Sequence, residues 1–339
     1  MNRILRSREA LVLILLFVLV ALIGAINPNF LRARTLLNVV NSSLILVLIA
    51  IGEMFVVVTG GIDVSVGAIT GLSAVILGTS LNAGVPLPLA ILLTLLTGLV
   101  AGSVNSVGIT FFRVPPIIMT LGTLGVYRGL MLIITGGSWI ETIPPNIKAM
   151  ASWSLLGVRV FAWVVLLIAI LATLLVRRLR QARYLYAVGD NKDGAYLLGI
   201  PVKATLFAAY ALAGLFAGAA AVIFVAQIGF VPMQTGNGQE LKAIAAVVLG
   251  GVNLTGGVGS PISAVIGALF LTAIDSMLVF LKVPGFWNNA FGGAILLIAV
   301  YVDYRIRRTL DARQRQIRAQ VRASKMPEIR PQPVTEEAR

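Results

Sequence analysis

The side chains that most often carry chemistry are absent from this sequence: none of its 339 residues is histidine or cysteine. It therefore has no imidazole to act as general base or metal ligand. It also has no thiolate nucleophile, disulfide or cysteine-held zinc or iron–sulfur centre. Thirteen carboxylates remain, and most lie outside the apolar runs. Glu53 and Asp275 lie inside them. A charge in a bilayer is costly and marks an ion path by default, so these are the two groups a proton- or ion-coupled carrier would use. The neutral polar groups suit a different task. Asn38, Asn41 and Ser42 open one apolar run, and Ser103 and Asn105 sit within another. Amides and hydroxyls exchange hydrogen bonds with a polyhydroxylated solute without the desolvation cost of a charge; they serve interhelical hydrogen bonds equally well. No phosphate-binding GxxxxGK[S/T] loop is present, so nucleotide chemistry would have to reside on another chain. No metal and no cofactor is expected.

The backbone carries a second signal. Residues 57–67 read VVTGGIDVSVG and residues 247–257 read VVLGGVNLTGG, at a constant offset of 190. A Gly-Gly pair followed by Asp or Asn and then Ser or Thr predicts a helix break with an N-cap for the next helix. Hydrophobic segments interrupted at matching positions in two halves point to the central site of a transporter. Gly60, Gly61 and Asp63, with Gly250, Gly251 and Asn253, are accordingly the expected structural breaks, and Asp63 and Asn253 the pivots. Glycine is frequent here, so two similar turns arising from composition alone is the competing reading.

The elements that must position these groups follow from composition. Hydrophobic residues make up 58% of the chain and charged residues 12%, with a mean hydropathy of +0.96. A soluble domain carries roughly 45–50% apolar and about 25% charged residues. A single soluble core, a disordered chain and a disulfide scaffold are excluded, and the scarcity of catalytic side chains disfavours a membrane-bound enzyme. Apolar runs lie at about 10–26, 40–59, 64–82, 87–110, 115–135, 160–176, 205–226, 240–254, 261–281 and 286–303. The fold expected is an all-α polytopic membrane protein with about ten transmembrane helices in two related halves. The first run, with no small-residue cleavage site after it, reads as a retained helix.

The net charge of +14 does not indicate nucleic acid, because the basic residues flank the apolar runs. They gather at Arg3, Arg6 and Arg8, between Arg177 and Lys203, and beyond Tyr304. By the positive-inside rule this places both termini in the cytoplasm. The expected organisation is a cytoplasmic N-terminus (1–9), a transmembrane domain (10–303) with a basic loop at about 177–204, and a partly disordered basic tail (304–339). Glycine pairs four apart (Gly67/Gly71, Gly98/Gly102, Gly125/Gly129 and Gly214/Gly218) are suited to close helix contacts.

Several motifs in order carry a family resemblance from about residue 35 to 305. They are Thr59–Gly67 (TGGIDVSVG), Thr120-Leu121-Gly122-Thr123 followed by Tyr127-Arg128-Gly129, and Glu240–Gly251 (ELKAIAAVVLGG) continuing through Gly256-Gly257-Val258-Gly259-Ser260. Together they resemble the permease subunits of bacterial ABC importers of the ribose/xylose type. Thr135–Glu141, Ala187–Asn191, Gln227–Gly236 and Trp287-Asn288-Asn289 resemble the branch of that family that imports autoinducer-2, with pentose and rhamnose permeases as the alternative. The resemblance implies a pore subunit in the inner membrane that performs no covalent chemistry. Its implied partners are cytoplasmic ATPase subunits, a second permease chain (the same or a related one), a periplasmic solute-binding protein and membrane lipids. It also implies a cytoplasmic coupling segment, which here reads Gly189-Asp190-Asn191, Ala195 and Gly199-Ile200. Gly194 precedes Ala195 where many relatives carry paired alanines. Capped by Asp190 or Asn191, this segment would seat an apolar face of Ala195, Leu198 and Ile200 in an ATPase groove. The class that competes with this one is an ion-coupled secondary carrier using Glu53 and Asp275.

Overall fold

The computed structural model of the chain describes residues 8–284 together with 287, 290, 292–294, 297, 301 and 305. Residues 1–7, most of the run 286–303 and the basic tail apart from Arg305 lie outside the described residues. Two compact units are distinguished, Met1–Leu297 and Ile298–Arg339. Of the second, Tyr301 and Arg305 are described, with the Arg305 guanidinium 6.0 Å from the Tyr301 ring centroid.

Nine of the ten apolar runs coincide with helices. They are α1 (Arg8–Ile26), α2 (Ala33–Val58), α3 (Val66–Asn82), α4 (Leu87–Thr110) and α5 (Pro116–Thr135), then α7 (Val160–Arg178), α10 (Val202–Ile228), α11 (Gln239–Leu249) and α12 (Pro261–Phe280). Outside the runs are α6 (Pro145–Ser152), a two-stranded ribbon of β1 (Ser154–Leu155) and β2 (Val158–Arg159), α8 (Arg180–Asp190) and α9 (Lys192–Leu197). Prolines in the first turn of α4, α5, α6 and α12 preset the helical φ where no amide donor is needed. Six helices (α2, α4, α5, α7, α10 and α12) are long and apolar enough to cross a membrane. The run 240–254 is not a full-length crossing: the 11 residues of α11 span about 16 Å, roughly half of a hydrocarbon core.

The centre is α2 and α3, whose side chains are buried nearly all round. α10 packs across α2, α3 and α4, and α1, α5, α7 and α12 surround this core. The α4–α10 crossing explains two of the glycine pairs. A Cβ on Gly98 would strike the carbonyl of Gly214, and one on Gly214 would strike the carbonyl of Gly98, so the two backbones lie against each other. Gly67 and Gly71 serve α3 in the same way, admitting the segment that carries Thr235, Gly236 and Glu240. Gly125 and Gly129 do not: no atom of another residue lies within 4 Å of a Cβ built there. They sit on α5 among exposed apolar residues such as Leu121, Val126 and Ile133.

Candidate coupling and translocation site

At the first break the chain leaves α2 through Gly60 at φ +79°, a left-handed conformation that favours glycine. Asp63 follows, wholly buried. Its Oδ1 accepts hydrogen bonds from the Ser65 amide (2.8 Å) and the Ser65 hydroxyl (2.6 Å). Its Oδ2 accepts one from Asn105 Nδ2 on α4 (3.3 Å). Asn105 also donates to Ser65 Oγ (2.7 Å) and accepts from the Thr123 hydroxyl of α5 (2.6 Å). Glu53, one helical segment earlier and equally buried, accepts the Asp63 amide proton through Oε1 (3.1 Å). Thr120 accepts from the Val64 amide (3.3 Å). The break is thus held by side chains from α2, α4 and α5.

The second break repeats the Asx turn of the first, with the left-handed glycine one position later in the repeat. Gly251 has φ +100°, and Asn253 Oδ1 accepts from the Thr255 amide (2.8 Å) and the Thr255 hydroxyl (3.0 Å). These are the two bonds that Asp63 makes to Ser65. Neither Asx residue is the N-cap of the following helix. Each closes an Asx turn onto the residue two ahead, and α3 and α12 begin behind Ser65 and Ser260 instead. After Asn253 the chain continues through left-handed Gly256 and Gly257 before α12 starts.

The two breaks meet each other and α8. The Gly257 amide donates to the Val58 carbonyl at the end of α2 (2.9 Å). Gly189, near the end of α8, packs on the same place: a Cβ there would collide with the Val58 carbonyl and stand 2.6 Å from the Gly257 nitrogen. The Tyr186 hydroxyl donates to the Gly259 carbonyl (2.9 Å). Burial pushes this phenol up to about 12, so it remains a donor across the physiological range. A movement of α8 would therefore bear on both breaks at once.

Asn191 caps α9, accepting from the Gly194 amide (2.8 Å). The expected apolar docking face is corrected. Ala195 is buried and Ile200 is partly covered, both packed with Val188, Val202 and Leu206. The face left outward is Tyr196-Leu197-Leu198, with exposures of 75, 84 and 82%. Gly199 supplies the left-handed turn out of it, at φ +76°. Between α9, the start of α10 and the α4–α5 turn lies a cavity of about 880 Å³ with Thr59, Gly60, Arg113, Lys203 and Tyr210 on its walls.

The expected polar pathway residues are not gathered in one place. Asn105 belongs to the buried network at the first break, and the Ser103 hydroxyl is returned to its own helix at the Leu99 carbonyl (2.7 Å). Asn38 is exposed; Asn41 is buried, and its carbonyl accepts from Gln227 (3.2 Å). Ser42 lines a cavity of about 240 Å³ together with Gln239, Lys242, Thr272, Asp275 and Ser276. Asp275 is not a lone carboxylate, because it pairs with Lys242 at 2.7 Å.

The match to known proteins follows the same segments. Residues 35–300 match the protein-family profile described as "Branched-chain amino acid transport system / permease component". The chain belongs to this family. It is 45% identical over 314 residues to the autoinducer 2 import system permease protein LsrC of Salmonella typhi, which covers 93% of this chain and 90% of the relative. The protein of the same name from Escherichia coli is 45% identical over 305 residues, 90% of this chain and 89% of the relative. That of Yersinia enterocolitica is 44% identical over 310 residues, 91% and 86% respectively. No solved structure matches. As a permease subunit of an ABC importer, the chain is a multi-pass inner-membrane transport component and not an enzyme.

Glu53 accepts the Asp63 amide proton at the first break, and a glutamine keeps that acceptor. Glu53→Gln is expected to leave ATP-driven uptake in proteoliposomes within about two-fold of the unchanged protein. A collapse of uptake, with normal expression and partner binding, would instead assign Glu53 a coupling-ion role.

Proposed function

We propose that this chain forms the pore of an ATP-driven importer for autoinducer 2, a small neutral polar solute. The observation that carries this reading is the 45% identity to permeases named for that import, spread over nine-tenths of the chain. In this arrangement both termini are cytoplasmic, and the ten apolar runs form the membrane passages of two related halves, with α11 a half-length one. Two permease chains, the same or related, enclose the path. A periplasmic binding protein delivers the solute, and cytoplasmic ATPase subunits drive alternation between outward- and inward-open states.

The coupling segment is Gly189, Asp190, Asn191, Ala195, Leu198, Gly199 and Ile200. Its exposed Tyr196-Leu197-Leu198 face supports docking into an ATPase groove, while Gly189 transmits the displacement to the breaks. Gly60, Gly61, Asp63, Gly250, Gly251 and Asn253 act as pivots. Asn41 and Ser42 border the solute path. A carboxylate placed in an apolar interface must be desolvated without a partner, which is costly. Leu198→Asp is therefore expected to reduce recovery of the ATPase in mild-detergent pull-downs about ten-fold. Unchanged recovery would remove this face from the interface.

The reading is tested by mass spectrometry of what co-purifies from native membranes, followed by uptake assays on the reconstituted assembly. A companion chain bearing a phosphate-loop motif and ATP-dependent uptake of autoinducer 2 supports it. Uptake of a pentose or rhamnose instead would replace the solute while keeping the class. A chain that purifies alone and transports under an ion gradient would overturn the class.

A further inference from the structure

The Lys242–Asp275 ion pair is half-buried between α11 and α12 and is absorbed by neither the breaks nor the coupling segment. Asp275 is about 21 Å along α12 from Pro261, at roughly 1.5 Å per residue, on one of the six helices long and apolar enough to cross a membrane. Lys242 is on the half-length helix α11 beside it. Their side chains retain 19% and 30% exposure, and both line the cavity of about 240 Å³ whose other polar walls are Ser42, Gln239, Thr272 and Ser276. Gln239 Oε1 is buried with no hydrogen-bond partner among the described residues.

A pair of unit charges inside an apolar bundle is costly unless its remaining donors and acceptors find partners, and a buried amide oxygen left unpaired adds to that cost. Structural packing would be served as well by an apolar pair of the same volume. What this set offers instead is a paired ammonium and carboxylate, an amide and three hydroxyls around a space of solute size. The Lys242 ammonium retains donor positions that Asp275 does not use, and Asp275 Oδ1 remains an acceptor. Vicinal hydroxyls, each both donor and acceptor, complement such an array, and the net-neutral pair favours an uncharged ligand over an ion.

We propose that this cavity is a solute-binding subsite for a small neutral polyol, with the Lys242–Asp275 pair and Gln239 as its specificity-determining groups. The proposal rests on the import function given above and assigns the recognition step to this chain in addition to the delivering protein.

The test uses the intact importer, purified with its ATPase and reconstituted, with labelled autoinducer 2 as the probe and ribose as competitor. Direct equilibrium binding is measured without the binding protein, and ATP-driven uptake is measured with it. Saturable binding is expected, weakened about ten-fold by Gln239→Leu and by Lys242→Met paired with Asp275→Leu. The isosteric Asp275→Asn is expected to shift the preference between the two solutes without loss of ATPase association. The swap Lys242→Asp with Asp275→Lys, which keeps a neutral pair, is expected to restore assembly if the double apolar variant fails to assemble. Wild-type uptake without direct binding, or variants that bind and discriminate as the wild type does, would overturn the subsite and leave the import reading intact. Absence of uptake of either solute by the complete wild-type assembly would count against the import reading itself.

Discussion

Replacing Gly189 with valine is expected to abolish coupled uptake while leaving the ATPase attached. The position leaves no room: the first carbon of any side chain falls on the Val58 carbonyl and 2.6 Å from the Gly257 nitrogen. Both obstacles are backbone, so no rotamer change relieves the clash; either the end of α8 or the two breaks must move. Their hydrogen bond, from the Gly257 amide to the Val58 carbonyl at 2.9 Å, is the first contact to be lost. Overpacking of this kind costs about 3 kcal/mol, and a bias of that size changes a two-state population ratio on the order of 100-fold. The exposed Tyr196-Leu197-Leu198 face lies beyond the joint and is untouched, so the ATPase should still co-purify and still hydrolyse ATP. Uptake by reconstituted Gly189→Val protein should fall by at least about ten-fold relative to ATP turnover. Uptake and turnover in the wild-type ratio would show that α8 does not act on the breaks through this contact.

How much of this arrangement is legible in the sequence depends on the range of the interaction. Helices written as long apolar runs are visible because 17 to 27 residues of uniform hydropathy admit few other structures. The Gly-Gly-Asx breaks are visible because left-handed backbone at Gly60 and Gly251 is a local demand. The orientation of α9 is not visible. Its six residues make less than two turns, too few for periodicity to say which side is buried. The sequence therefore does not show that Ala195 packs inward against Val188 and Leu206. An Asx turn and an N-cap use the same residue types, so the residue at which α3 or α12 begins is set by the backbone at Ser65 and Ser260 and not by composition.

Pairings across the chain are the least legible. Asn105 looked like a path-lining amide, and nothing local to it indicates that its partners, Asp63 and Ser65, lie 42 and 40 residues away. The contact of α8 with both breaks has no counterpart in the sequence at all, since spacing carries no information on which turns become neighbours. One long-range pairing did leave a trace. Opposite charges in consecutive apolar runs, Lys242 in 240–254 and Asp275 in 261–281, are a signal that two costly groups offset each other. Asp275 was read alone, and a lone carboxylate suggested an ion carrier.

Asp63→Ala is expected to be the most destabilising of the conservative-size changes at the breaks. The substitution removes the acceptor for three donors: the Ser65 amide, the Ser65 hydroxyl and Asn105 Nδ2. All lie where the protein is closed to solvent, since Asp63, Ser65 and Asn105 are each 0% exposed. A buried donor left unpaired costs about 1–3 kcal/mol. The Ser65 hydroxyl can rotate to another partner and Asn105 Nδ2 keeps its shorter bond to Ser65 Oγ (2.7 Å), which leaves the Ser65 amide as the orphaned group and a loss of about 2 kcal/mol. Asp63→Asn separates the oxygen from the charge. Its amide oxygen still closes the turn onto Ser65, as Asn253 does onto Thr255 at the second break. Its amide nitrogen faces Asn105 Nδ2, a donor against a donor, unless Asn105 rotates and Thr123 becomes the donor's acceptor. Thermal unfolding in detergent should therefore rank Asp63→Ala well below Asp63→Asn, with the asparagine variant losing less than half as much stability. Asn253→Ala removes the same two-bond turn, but Thr255 is exposed and water can replace the lost oxygen, so its loss should stay under about 1 kcal/mol. If Asp63→Asn and Asp63→Ala proved equally damaging, the negative charge itself, rather than the oxygen that closes the turn, would be what the first break requires.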